Sequence, residues 1–303
     1  MNNIDILREV ETNYKDNFER LEDKKFHFAA RLFLWFGDEF AKNKLAELQA
    51  EYIGKNEQEY SEKITEILKE DSSNEGLLFK NERAKFFNKY PLLKRYNKIL
   101  FRNLFCQIIY GINLKPVISK QINKEDLIDL KNALLHDSEA IATLSTHAIN
   151  YFYTLDYYLN EEESFLDPAL FLDIVKNKKN SILKVYLLTH CIIGESAFYS
   201  RAIKRNLAVY DKMFIELETI IANDYAEISL DNKVEFLVCA KLCQKKSILK
   251  EKILLDTVLS FDSNNKCFIE NSGKKLKDTF RKGEHRNVLA LMAFYSEKTS
   301  QEA

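Results

Sequence analysis

Glycine and proline punctuate strands and tight turns, and this chain nearly does without them, with 7 Gly and 3 Pro in 303 residues. A sheet protein of this length needs far more of both, so the scarcity points to helices joined by short polar loops. Periodicity agrees. From Glu139 to Leu155, the residues Ile141, Leu144, Ala148, Phe152 and Leu155 recur at steps of three and four, which predicts one helical face across the stretch. Hydrophobic residues reach 46%, with 21 Phe and 15 Tyr, enough to fill a core and to exclude a disordered chain.

Polar breaks at DSSNEG (71–76), EEESFLDP (161–168), NDYAEISLDN (223–232), DSNNK (262–266) and NSGKK (271–275) divide the chain. They imply about 11 or 12 helices. Asp167 before Pro168 predicts an N-cap followed by Pro at the first helical position. Ser229 or Asp231 is expected to cap the helix that carries Glu235 and Cys239.

Charge switches sign in the first third. Residues 56–75 hold seven acids against two lysines, a net of −5, and residues 80–102 hold eight bases against Glu82, a net of +7. The switch suggests N-terminal helices over 1–75 and a helical-hairpin domain over 76–303, with one continuous domain as the alternative. After Pro91, Leu92, Tyr96, Ile99 and Leu100 make an apolar face opposite Lys94, Lys98 and Arg102. Interleaved bases and aromatics can suit nucleic acid. An amphipathic helix whose bases meet solvent or the acidic segment is the simpler reading.

The whole-chain balance narrows the partners. A formal charge of −1 and a pI near 6.6 give no global field to attract nucleic acid or an acidic membrane. The opening MNNIDILREVE is acidic where a signal peptide would be basic and then apolar. No run approaches the roughly 18 apolar residues of a membrane span. The five cysteines (Cys106, Cys191, Cys239, Cys243, Cys267) are odd in number and form no CxxC, which fits reduced thiols in the cytoplasm. Cys239 and Cys243, one helical turn apart, read as core residues before they read as metal ligands.

A repeat is visible. LSTHAI (144–149) aligns with LLTHCI (187–192), and the two histidines stand 190 − 147 = 43 residues apart. That is about one helical hairpin with its loops. Continuing at this spacing reaches Glu235 and then His285, and one step back lies Gln107.

The stretches YLLTHCIIGESAFYSR (186–201) and GEHRNVLALMAFY (283–295) resemble a bacterial toroid domain of unknown function, similar in shape to terpene cyclases and lanthionine synthetases. FDSNNKCF (261–268) resembles the Asp-containing, aromatic-ended turn between hairpins of such folds. The similarity spans roughly 130–300. It implies an all-α fold of helical hairpins, curved or closed into an α/α toroid around a cavity. The chemistry of those enzymes does not follow, because the chain has no DxDD, no DDxxD, no zinc-binding Cys and Cys-His motifs, and only one Trp, Trp35.

Four residues are the cavity candidates. His190 lies in a broadly apolar helix, where an imidazole must be hydrogen-bonded by a neighbour or hold a ligand. His147 faces the same choice, with Tyr151 one turn on as a candidate partner. Glu235, among Val234, Phe236, Leu237 and Val238, is either at a helix edge or buried with a partner. His285 follows Gly283 at an expected helix start, where an anion is favoured. Histidines with a carboxylate suit a general acid–base pair or a divalent metal, although no local metal motif such as HExxH occurs. The expected function is a cavity that binds, and processes, a small molecule or peptide. The alternative is a non-catalytic scaffold for a protein or nucleic-acid partner. Neither reading specifies a reaction or a cofactor.

Overall fold

The computed structural model describes residues 3–70, 80–159, 166–269 and 279–295. The predicted breaks at 71–76 and 271–275, most of that at 161–168, and the sequence boundary near 71–80 lie outside the described residues. Those residues form an all-α fold of seventeen α-helices with a two-residue-stranded hairpin. The first six helices are α1 (Asn3–Asp16), α2 (Lys25–Phe36), α3 (Glu39–Tyr52), α4 (Glu57–Lys69), α5 (Lys80–Lys89) and α6 (Leu93–Tyr110). There follow α7 (Lys115–Ile118), α8 (Lys124–Leu135), α9 (Ser138–Leu144), α10 (Thr146–Leu159), α11 (Ala169–Lys176) and α12 (Ser181–Glu195). The last third holds α13 (Leu207–Asn223), α14 (Leu230–Leu242), α15 (Lys250–Leu259), strands β1 (Phe261–Asp262) and β2 (Cys267–Phe268), α16 (Thr279–Lys282) and α17 (Glu284–Phe294).

The chain forms two compact units, one of Met1–Leu48 with Phe214–Ala303 and one of Gln49–Met213. In the first, α17 is buried continuously from Arg286 to Ala293 and packs against α14 and α2. A helix with no solvated stripe has to sit at the centre of its unit. Tyr14 of α1 stacks on Phe280 at 4.3 Å between ring centres and donates its hydroxyl to Phe280 O at 2.7 Å, fixing α1 to α16. In the second unit α10 has the central role, buried from Ala148 to Leu155 and packed against α6 and α12.

The helices outnumber the sequence expectation because several breaks use neither Gly nor Pro. Ser145 (φ 37°) splits the predicted 139–155 helix into α9 and α10, although Ile141, Leu144, Ala148, Phe152 and Leu155 are all buried as the periodicity required. Gln244 (φ 56°) ends α14 where glycine is usual, its amide bonding Lys241 O at 3.0 Å while Lys245 N reaches Ala240 O at 2.8 Å. Periodicity cannot register such breaks, because apolar spacing continues through them.

The caps divide between expectation and correction. Ser229 caps α14, its hydroxyl accepting from Asn232 N at 3.3 Å, whereas Asp231 lies inside the first turn. Asp167 accepts from Ala169 N at 2.9 Å, with Pro168 itself in the cap position rather than the first helical one. On α6, Leu93, Tyr96, Ile99 and Leu100 are buried, while Leu92 lies outside the helix and exposed. Its bases meet acids in part as expected, with Lys98 2.5 Å from Glu70, while Lys89 on α5 turns instead to Asp137 at 2.7 Å. No described helix is long and apolar enough to cross a membrane. All five cysteines are buried, with no disulfide among the described residues.

Candidate functional site

Residues 283–287, GEHRN, form the head of α17, and each has a separate task. Gly283 allows close approach, since a β-carbon there would stand 2.7 Å from Thr279 O and 3.1 Å from Asn287 Nδ2. Asn287 behaves as a surrogate strand for the β hairpin. Its Oδ1 accepts from Phe268 N at 2.7 Å, and its Nδ2 donates to Phe268 O at 3.1 Å and to Gly283 O at 2.8 Å. The FDSNNKCF turn and the GEHRN helix head are therefore bonded to one another. Arg286 pairs with Asp231 of α14 and donates from Nη1 to Phe268 O at 3.3 Å. Glu284, 2% exposed, lies 3.3 Å from Arg31 Nη1 of α2.

His285 is the exception in this group. Glu284, Arg286 and Asn287 are buried, but the His285 side chain is 40% exposed. Its Nε2 stands 3.6 Å from Oε1 of Glu235, which is 3% exposed. Thus Glu235 is not at a helix edge; it is buried with a partner. The distance exceeds a direct hydrogen bond but fits an ion pair once the imidazole takes a proton. A buried carboxylate behind an imidazole that reaches solvent can orient the ring and stabilise the imidazolium.

His27 on α2 joins this neighbourhood and escaped the sequence reading. Its side chain is exposed to solvent. Desolvation, followed by the charges of Arg31, Lys24 and His285, lowers its pKa. The available signal was Arg31, four residues on and on the same helical face, in an otherwise apolar KFHFAARLFLWF.

His147 and His190 belong to the other unit. His190 Nδ1 donates to Asn150 Oδ1 of α10 at 2.8 Å. His147 is half-buried, edge-on to Phe87 at 5.1 Å, with its carbonyl accepting from Asn97 Nδ2 at 2.8 Å. Burial first, then Arg83, Lys94 and His190, push its pKa down to about 3, so it is neutral at physiological pH. Tyr151 is not its partner, because that hydroxyl donates to Leu127 O at 2.7 Å. The two repeat segments also differ in setting. LSTHAI straddles the α9–α10 junction, whereas LLTHCI lies within α12. The four candidates thus form two pairs, His147 with His190 in one unit and Glu235 with His285 in the other. No group of three or more His, Cys, Asp or Glu among the described residues is placed to hold a metal ion.

Sequence reasoning also missed the turn after α12. Ala197, Phe198 and Tyr199 are consecutive, buried and left-handed, with φ of 50°, 54° and 74°. Each such residue costs about 1–2 kcal/mol when it is not glycine. Ser196 holds the turn, donating to Ile193 O at 2.6 Å and accepting from Tyr199 N at 3.0 Å. Glu195, 6% exposed, accepts from Arg205 Nε at 2.8 Å and Nη2 at 3.3 Å, and from Tyr210 Oη at 3.3 Å. Tyr210 and Tyr153 share a 2.6 Å hydroxyl contact, which completes a polar network around the strained segment.

These features define an all-α protein whose helix ends are held by buried polar networks. The chain belongs to the family described as Domain of unknown function (DUF3541), whose model matches residues 23–303. Nothing among the curated proteins or the solved structures matches it significantly.

Proposed function

We propose that the protein binds a small polar molecule or peptide at the head of α17 and moves a proton on it, with His285 as acceptor and Glu235 as the positioning carboxylate. The carrying observation is the 3.6 Å pairing of a buried Glu235 with a half-exposed His285. Support comes from the surrounding bonds. Glu284–Arg31, Arg286–Asp231 and Asn287–Phe268 brace the residues on either side of His285, and a site gains precision when its neighbours are fixed in this way. His27 adds a second imidazole whose lowered pKa favours the neutral, proton-accepting form. In this reading the hairpins curve or close into an α/α toroid, and His147 with His190 supplies hydrogen-bonding groups to the cavity wall. Small-angle scattering in solution tests that shape.

The test of the site is a small-molecule and peptide screen by native mass spectrometry on wild type, His285→Gln and Glu235→Gln. The expected result is a ligand lost in His285→Gln while the melting temperature stays unchanged. A ligand retained by both variants would refute the assignment. So would a loss of stability in His285→Gln equal to that of Asn287→Ala, which would make the residue a structural part of the helix head.

A further inference from the structure

The outward side of α15 carries large apolar side chains beside its charges. Ile253, Thr257 and Ser260 point into the protein and are buried, while Leu255 and Leu259, on the opposite side, are 57% and 69% exposed. Ile248, in the turn two residues before the helix starts, is 82% exposed. It is not loose. Glu218 of α13 accepts from Ile248 N at 2.9 Å and from Ser247 Oγ at 2.6 Å, which fixes the turn. Ile215, 61% exposed, lies one turn before Glu218 on α13. Beyond the C-terminus of α13, Tyr225 donates to Asp256 Oδ2 at 2.6 Å and carries Lys252 over its ring at 3.6 Å. Two bridges therefore tie the C-terminal part of α13 and the loop after it to α15 and its preceding turn, and these segments carry Ile215, Ile248, Leu255 and Leu259 exposed.

The charge around this surface is divided. Residues 245–252 carry Lys245, Lys246, Lys250 and Lys252 against Glu251, four against one, a net of +3. Residues 214–227 carry Glu216, Glu218, Asp224 and Glu227 and no Lys or Arg, a net of −4. A two-fold axis through the apolar centre would lay the acidic strip of each copy across the basic turn of the other, because an isologous interface makes every contact twice. Four well-exposed large apolar side chains reach the few hundred Å² at which a patch marks an interface. The flanking charged turns extend it toward the roughly 800 Å² per partner typical of stable complexes. We propose that the α13–α15 face binds a second copy of this chain, forming a two-fold dimer with an apolar centre and a complementary charged rim.

Sedimentation equilibrium of the full chain across micromolar concentrations tests this directly. Wild type is expected as a dimer, and Leu255→Asp with Leu259→Asp as a monomer with an unchanged circular dichroism spectrum. Ile248→Asp, in a turn rather than a helix, is the second variant should the first fail to fold. Charge reversal identifies the partner. Lys246→Glu with Lys250→Glu, and separately Glu216→Lys with Glu227→Lys, should each weaken self-association at least tenfold. An equimolar mixture of the two should restore it, since one rim contact becomes wild-type and the other fully reversed. A monomeric wild type, a dimer indifferent to the apolar variants, or a mixture that does not reassociate would each overturn the proposal.

Discussion

Gly194 lies one residue before the end of α12, and from helix propensity alone its replacement by alanine should stabilise the protein by about 0.8–1 kcal/mol. The packing of α12 on α10 reverses that sign. A β-carbon at 194 would stand 2.4 Å from Tyr153 Cγ, 2.5 Å from Cδ2 and 2.8 Å from Cβ. These atoms form the root of the side chain, which cannot swing aside as a flexible tip could. Tyr153 is also held at its far end by the 2.6 Å contact with Tyr210. Either the ring leaves that bond or the helices separate, so the overpacking cost belongs in the upper half of the usual range of about 1–3 kcal/mol. Subtracting the propensity gain leaves Gly194→Ala destabilising by about 1–2 kcal/mol. Urea unfolding gives the value, and a thermal melt should fall by roughly 2–4 °C per kcal/mol for a unit of this size. Tyr153→Ala removes the two nearest atoms, Cγ and Cδ2, so alanine at 194 should cost less in that background, with a coupling of about 1 kcal/mol. A Gly194→Ala protein more stable than wild type, or one whose cost is the same in both backgrounds, would refute the reasoning.

The pH dependence of stability should carry a contribution from His147. Its folded pKa is lowered to about 3 from an ordinary value near 6.5, so between these values the unfolded chain holds the proton and stability falls as pH drops, by at most about 1.4 kcal/mol per pH unit. Urea unfolding between pH 4 and 7 should therefore be flatter for His147→Gln than for wild type, and equal slopes would count against it. His190→Ala strands the Asn150 carboxamide and should destabilise by about 1–3 kcal/mol, with His190→Gln milder; equal losses in the two would show that their bond contributes little. No RNA or DNA binding is expected at physiological salt, because Lys98, Lys120 and Lys89 are already paired with Glu70, Glu57 and Asp137. Micromolar binding that weakens steeply with salt, measured by fluorescence anisotropy, would contradict this.

The helical class was legible because Gly and Pro scarcity and apolar spacing both act locally. Ile141, Leu144, Ala148, Phe152 and Leu155 are buried as the spacing required. The helix count was not legible, because Ser145 and Gln244 reverse the chain in conformations that composition assigns to glycine. Glu235 and His285 were named by a spacing of one hairpin, and they do stand together. The same spacing predicted equivalent turns for His147 and His190, yet one opens α10 and the other lies ten residues into α12. Spacing in sequence can place a residue on the right element; it does not fix the turn of that element. His27 was invisible for a related reason, since its relation to His285 arises from the packing of α2 on α17, 258 residues apart in the chain.

The left-handed segment at 197–199 follows from the same economy of glycine. Where many chains would spend glycines on a sharp exit from a helix, this one uses Ala197, Phe198 and Tyr199, and buries all three. Burial explains the choice. Phe198 packs edge-on against Phe101 of α6 at 4.4 Å, a contact that glycine could not supply. Fully burying one such side chain contributes about 1.5–3 kcal/mol, comparable with the strain of the residue that carries it. Ser196, on the N-terminal side, and the Glu195–Arg205–Tyr210 network then set the direction in which the chain leaves. The segment is thus held from both ends, and its conformation depends on packing partners as distant in sequence as Phe101. A strained turn fixed in this way ties the end of α12 to α6 through Phe198 and Phe101.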